Sequence, residues 1–261
     1  MTNKKENNSF HHLTILLTLV TLFFSNLCLA LGKPKPKVLV FCKTAGFHHK
    51  SIADGIVAIQ KLGVENKFDV DTTIDGDKFN NENLKQYKTI IFLSTTGDVL
   101  NDEQQAAFKK YIEAGGGYMG IHAATDCEYN WPWYGNLSGA YFGGHPAQQT
   151  ATLNVVDLEN ISTKHLPNPW IRKDEWYSFK WMATDLHVLI TIDEKSYDLA
   201  KIKPMGYHPM AWYHEYDGGR AFYTELGHVE ESFADLLYLR HILGGIEYAM
   251  GIKHPRKLKV N

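Results

Sequence analysis

Apolar and polar positions along the chain fall into two kinds of pattern, continuous apolar runs and amphipathic stripes. KVLVFCK (Lys37–Lys43) is a continuous β-rich run, the signature of a strand covered on both faces. After a short loop, Ser51 is placed to cap SIADGIVAIQKLG, where Ile52, Ile56 and Ile59 keep a helical stripe and Gly63 supplies a stop. KFDVDTTID alternates as a strand, and KTIIFLSTT (Lys88–Thr96) is a second buried one. Asn101 and Gln104 form a capped start to NDEQQAAFKKYIEAG, with Phe108, Tyr111 and Ile112 on one face, and GGYMGIH is the next strand. This β-α-β-(short α)-β-α-β order predicts a parallel sheet with helices on both faces. Side chains with a chemical role should then gather at the carboxyl ends of the strands, in the loops KTAGFHHKS, STTGD and IHAATD.

The second half is less regular. EYNWPWYGNLSGAYFGGHP reads as a structured loop with a short helix. ATLNVVD, DEWYSFK and HVLITID are strand candidates, and MAWYHEYDGGRAFYTELGH is a hairpin turning at Asp217-Gly218-Gly219. SFADLLYLRHILGGIEYAMG predicts a closing helix striped by Phe233, Leu236, Leu237, Leu243 and Ile246. There is no internal repeat, low-complexity segment or interdomain linker.

The amino terminus breaks this pattern. Lys4 and Lys5 precede the apolar run LTILLTLVTLFF, and CLA ending at Ala30 suits a signal peptidase. The expectation is a signal peptide over residues 1–30 and a single exported α/β domain over 31–261, periplasmic or extracellular, with no membrane insertion after cleavage. Removing Lys4, Lys5 and Glu6 takes the formal charge from -2 to -3, and no basic run is left to neutralise phosphates, so no nucleic-acid partner is expected. Cys42 and Cys127 remain, and sequence leaves them open as a disulfide or as two buried thiols.

Histidines stand at the predicted strand ends and in glycine-rich loops: His48 and His49, His122, His145 and His228. Single histidines are ordinarily surface or core residues. A set converging on one sheet edge suits a divalent metal, zinc above all, or acid–base work near neutral pH. His49, His122, His145 and His228 are the candidate metal ligands, and His122 and His49 the candidate bases. Asp126 follows His122 closely enough to orient an imidazole or ligate a metal, or simply to cap a turn. Asp174 and Glu175 would face opposite ways in a strand. Glu175, in phase with Tyr177, is the one expected at a cleft, as acid or orienting group. Trp131, Trp133, Tyr134, Trp176 and Tyr177, with His48, could contact a sugar, although aromatic residues at this density also build cores.

Several chemistries lack their residues. No P-loop and no GxGxxG following a strand are present, so no nucleotide cofactor is expected. GxSxG is missing, and GIHAA carries neither Ser nor Cys as a nucleophile.

FHHKSI, GGGYMGIHAATD, WPWYGNLSGAYFGGHP, DEWYSF, HPMAWYHEYDGGRAFYTELGH and HILGGIEYAMG, in this order from about Lys37 to Gly251, resemble the trehalose-utilisation or ThuA-like family. The resemblance implies a class I glutamine amidotransferase-like fold, a flavodoxin-like three-layer α/β sandwich with a mainly parallel central sheet. It places His122 where that superfamily carries its catalytic Cys, so glutamine amidotransferase activity is not expected. It also implies a carbohydrate ligand, notably a glycoside oxidised to its 3-keto form. The expectation is an exported protein that cleaves or converts such a (3-keto-)glycoside by acid–base or metal-assisted chemistry. The alternatives are a non-catalytic sugar-binding protein and a zinc-dependent hydrolase of another small substrate.

Overall fold

Alternation along the first strands sorts side chains to two faces and so dictates the layers. A computed structural model describes residues 34–252, and the expected signal peptide lies outside them. The sequence from β1 (Lys37–Phe41) through α1 (Ile52–Asn66), β2 (Asp69–Thr73), the short α2 (Asn81–Leu84), β3 (Thr89–Leu93) and α3 (Asp102–Glu113) to β4 (Gly117–Ile121) has the expected order. Val38 and Val40, Ile91 and Leu93, and Met119 and Ile121 point to one side, where Ile59 and Leu62 of α1 cover them. Leu39, Phe41, Ile90, Phe92 and Tyr118 point to the other and pack on Phe108 and Ile112 of α3. Each fully buried side chain of this size contributes about 2 kcal/mol against solvent exposure, which is why register is firm here.

The caps follow their residues, with one difference. Asn101 accepts from the Gln104 N–H and the Gln104 side chain accepts from the Asn101 N–H, so the expected capping box is present. Ser51 does not cap α1; its Oγ instead donates to the Gly227 carbonyl, 3.0 Å away. Gly63 does not end α1 either. The helix runs on to Asn66 and closes at Lys67, whose φ is 63°. Gly63 serves close packing, since a Cβ there would meet the Phe68 carbonyl oxygen at 2.7 Å.

The chain continues through α4 (Pro132–Ser138), β5 (Ala140–Gly144), β6 (Gln149–Val155), β7 (Trp170–Asp174), β8 (Ser178–Met182), β9 (His187–Ile192), β10 (Pro209–Tyr216), β11 (Gly219–Thr224) and α5 (Leu236–Ala249). The nine-stranded sheet has the order β2-β1-β3-β4-β11-β10-β9-β6-β7, and β5 pairs with β8 in a separate two-stranded sheet. β11 joins β4 in parallel, and the four pairings beyond it are antiparallel. Only β10 and β6 therefore run against the rest, and the sheet is mostly parallel, as a flavodoxin-like sandwich requires. α5 joins α1 on one face through Tyr238, Ile242 and Ile246. Leu236 is not part of that stripe: the helix starts there, capped by Asp235, and its side chain is exposed.

Two further readings are corrected. DEWYSFK is not one strand; Asp174 ends β7, Ser178 begins β8, and Glu175–Tyr177 bridges them. Cys42 and Cys127 are free, buried thiols. They lie in the cores on opposite faces of the sheet, which rules out a bridge between them. No helix among the described residues is long and apolar enough to cross a membrane.

Candidate functional site

Four side chains converge at the carboxyl edge of the sheet, and each follows a strand running in the shared direction. His49 comes from the loop after β1, His122 from the first position after β4, Glu175 from just after β7 and His228 from the loop after β11. One ligand-type atom from each lies within 4.8 Å of all the others. In a flat sheet β4 and β7 would stand five strand spacings apart, roughly 24 Å. Instead His122 Nε2 is 3.6 Å from Glu175 Oε2. The antiparallel half therefore curls back over the edge, with register irregularities between β9 and β10 where the ladder bends.

His122 is aimed from behind. It opens a short 3₁₀ turn with φ 52°, a left-handed conformation rare for a residue with a Cβ. Tyr223 Oη donates to the His122 carbonyl at 2.7 Å. The Nδ1–H of His122 donates to the Glu225 carbonyl at 2.8 Å, which leaves Nε2 with its lone pair turned to the cluster. There Nε2 meets His228 Nδ1 at 3.1 Å, and His228 Nδ1 is also 3.1 Å from Glu175 Oε2. The ring of His49 stands nearly perpendicular to those of His122 and His228, with centroids 4.8 and 5.1 Å away. Its Nδ1 is buried with no hydrogen-bond partner.

The charges follow from this crowding. Burial and the neighbouring imidazoles of His122 and His228 lower His49 to about 3, so it is neutral and keeps a lone pair for a ligand. Burial alone would raise Glu175, but the adjoining imidazoles of His228, whose Nδ1 is 3.1 Å from Oε2, and of His122 outweigh it and hold the carboxylate ionised down to about 2. Burial pulls His228 down, and the Glu175 carboxylate more than reverses this. Three imidazoles and one ionised carboxylate are a donor set that first-row divalent cations take. The partnerless nitrogen of buried His49 fits that use.

His145, expected among the ligands, is not one of the four. It is exposed after β5, and its Nδ1 is 3.1 Å from the other oxygen of Glu175. Glu175, expected as acid or orienting group, takes its place in the cluster. Asp126 stands to one side, accepting from Tyr129 Oη at 2.5 Å; burial raises its pKa, with His122 and His145 near enough to oppose the shift.

The aromatic candidates do other work. Tyr134 and Trp176 are fully buried and Tyr177 nearly so, so none offers a face to a ligand. Tyr177 packs 4.5 Å from the ring of His122 and 5.8 Å from that of His145, and wedges the two imidazoles. Trp131 stacks on Trp133, whose Nε1 donates to Asp217 at the hairpin turn. That turn adjoins the amino end of β4, roughly 16 Å of strand from His122. His48 is exposed, its Nδ1 3.3 Å from Thr44 Oγ1, and lies outside the cleft lining.

Sequence reasoning passed over residues that hold or flank the site. Asp174, set aside in favour of Glu175, is fully buried and accepts from the Gly227 and His228 N–H groups and from Ser232 Oγ. Glu225 is fully buried, and its Oε1 accepts from the Tyr177 N–H; burial pushes its carboxyl well up. Phe47 lines a cleft of about 630 Å³ that opens beside His49 and His228. The one signal available was local: a phenylalanine in the loop AGFHH, immediately before the histidine pair.

Comparison with known proteins fits this architecture. A ThuA-like protein from Bacteroides uniformis is 25% identical, with a TM-score of 0.71 over 84% of this chain and 92% of its own. One from Parabacteroides merdae is 22% identical, with a TM-score of 0.69 over 87% of this chain and 93% of its own. A β-galactosidase from Bacillus circulans sp. alkalophilus shares the fold alone, at 12% identity and a TM-score of 0.55, over 84% of this chain and 31% of its own. No curated protein matches the sequence. The family model described as "Trehalose utilisation" matches residues 37–249, and the chain belongs to this ThuA family, within the class I glutamine amidotransferase-like superfamily.

Proposed function

We propose that the protein is an exported, metal-assisted enzyme that cleaves a 3-keto-glycoside. The observation that carries this reading is the convergence of His49, His122, Glu175 and His228 beside an open cleft. The family's link to trehalose utilisation supports a sugar as the ligand. These four residues would hold a divalent cation, zinc being the best match to three imidazoles and a carboxylate, and the cation would polarise a substrate oxygen.

A carbonyl at C3 acidifies the proton on C2, so a base rather than a nucleophile starts the reaction. With His49 and His122 committed to the cation, the base is His145. Glu175 Oε1, 3.1 Å from its Nδ1, orients the ring and leaves Nε2 to take the C2 proton. The released electron pair forms the C1–C2 double bond as the C1–O bond breaks. Asp126, biased towards its protonated form by burial, gives its proton to the departing oxygen. Water then adds across the double bond, and the net reaction is hydrolysis without an external oxidant.

The test is incubation with a panel of glycosides and their 3-keto derivatives, with and without chelator, reading the released alcohol or sugar. Release from the keto forms alone, abolished by chelator and by His122→Ala, is the expected result. Saturable binding with no release across the panel would leave a sugar-binding protein instead.

A further inference from the structure

We infer that the cleft beside the cluster is a subsite for a second, uncharged sugar ring, with Phe47 as its stacking platform. The substrate class is then a neutral disaccharide or glycan end rather than a simple alkyl glycoside or a sugar phosphate. The identity of the reacting ring rests on the function proposed above; the subsite itself does not.

Three observations lead here. First, Phe47 is 65% exposed, although an apolar ring of this size gains most by burial. Its backbone is nonetheless pinned. The Phe47 carbonyl accepts from Thr96 Oγ1 at 2.9 Å, and the Ala45 N–H donates to the Thr96 carbonyl at 2.7 Å. A fixed backbone presenting an exposed ring is a platform rather than a loose loop tip. Second, the platform is next to the chemistry. The Phe47 ring stands 4.8 Å from that of His49, at 78°, and His49 is 4.8 Å from His122. A group bound at the cluster and a neighbour on Phe47 are thus one ring apart. Third, apart from Val229 the rest of the cleft is polar, and its lysine and glutamate charges balance. Lys50 and Lys173 face the same space as Glu230 and Glu231, with Gln148 beside them. Two cations against two anions give donors and acceptors for hydroxyl groups with no net attraction for a charged ligand. An apolar face within a polar rim is the recognition surface a pyranose ring needs.

Calorimetric titration of the full chain with methyl glucoside, cellobiose, maltose, trehalose and glucose 6-phosphate tests this. At least one disaccharide should bind about tenfold more tightly than methyl glucoside, and the phosphate no more tightly. Phe47→Ala should erase that margin and Phe47→Trp should keep it. Val64→Ala, on an exposed position of α1, should leave it unchanged. Equal affinities for methyl glucoside and every disaccharide, a margin that survives Phe47→Ala, or preference for the phosphate would each overturn the subsite. The readout separates this from the catalytic reading. An intact margin with no turnover of keto-glycosides sinks catalysis and spares the subsite. Turnover with equal KM for keto-monosaccharide glycosides and keto-disaccharides sinks the subsite and spares catalysis.

Discussion

At the scale of single residues, burial and mutual contact move the pKa values of His49, Glu175 and His228 away from their ordinary ranges. His49, and His241 in the core beneath β11, are both lowered to about 3, burial being the largest cause in each. In the unfolded chain an imidazole takes its proton near 6.5, so below that pH the unfolded state binds more protons. Stability must then fall as pH falls, by roughly 1 kcal/mol per pH unit for each such group. Glu175 acts in the same direction: its contribution is present above its ordinary value of 4.5 and is lost as pH drops through about 2. His228 acts oppositely, because its raised pKa stabilises below 6.5 and the benefit disappears as pH rises through the raised value. The expected outcome is a maximum near neutrality with a steep acid flank. Urea unfolding in chelator between about pH 7.5 and 5 should give a flatter flank for His49→Gln than for the native chain. Indistinguishable flanks would mean that His49 is not held neutral by its surroundings.

Among the elements, the question is what brings a loop after β11 and the end of an edge strand together over β4. Asp174 answers it. As the last residue of β7 it receives the Gly227 and His228 N–H groups, each at 3.1 Å, and Ser232 Oγ at 3.1 Å. Arg172 Nη2 lies 3.3 Å from its Oδ2 and reaches Ser232 Oγ at 2.6 Å. Ser51 fixes the same loop from α1 through the Gly227 carbonyl. The carboxylate thus places the backbones of both His228 and Glu175, whose N–H groups each donate to its Oδ1 at 3.1 Å. Asp174→Asn keeps the shape and loses acceptors, and should destabilise the fold by about 2 kcal/mol. Supporting groups of this kind typically set metal affinity by 10- to 100-fold, so zinc binding measured by competition with a chromophoric chelator should weaken by about that factor. Zinc affinity equal to that of the native chain would deny Asp174 its positioning role, whatever the stability.

Over the whole molecule, the first half was legible because its information is local. Buried strands read as apolar runs, the Asn101–Gln104 box marks a helix start, and strand order then follows from alternation. Candidates at strand ends were legible for the same reason, and His49, His122 and His228 do meet. What could not be read was the curl of the antiparallel half. It depends on pairings between segments far apart in sequence and on irregular register, neither of which leaves a periodic trace. Glu175 was picked for the cleft over Asp174, but because the curl decides which groups close the cluster, its place among the imidazoles as a fourth ligand and the clamp at Asp174 stayed hidden, and buried aromatics such as Trp176 looked available.

That same closure makes the cluster a long-range fastener if it holds a cation, since β1, β4, β7 and β11 would all be tied at one point. A ligand that binds only the folded chain stabilises it by about 2.7 kcal/mol at a hundredfold excess over its dissociation constant. For a chain of this size that corresponds to a rise in Tm of roughly 5–10 °C. Protein stripped with chelator and then given zinc should show this rise, and Glu175→Gln should show little of it. The measurement needs no substrate. An unchanged Tm with zinc, manganese or nickel would leave the imidazoles and Glu175 as a hydrogen-bonded group without a metal, and His122 Nε2 would then be free to serve as the base.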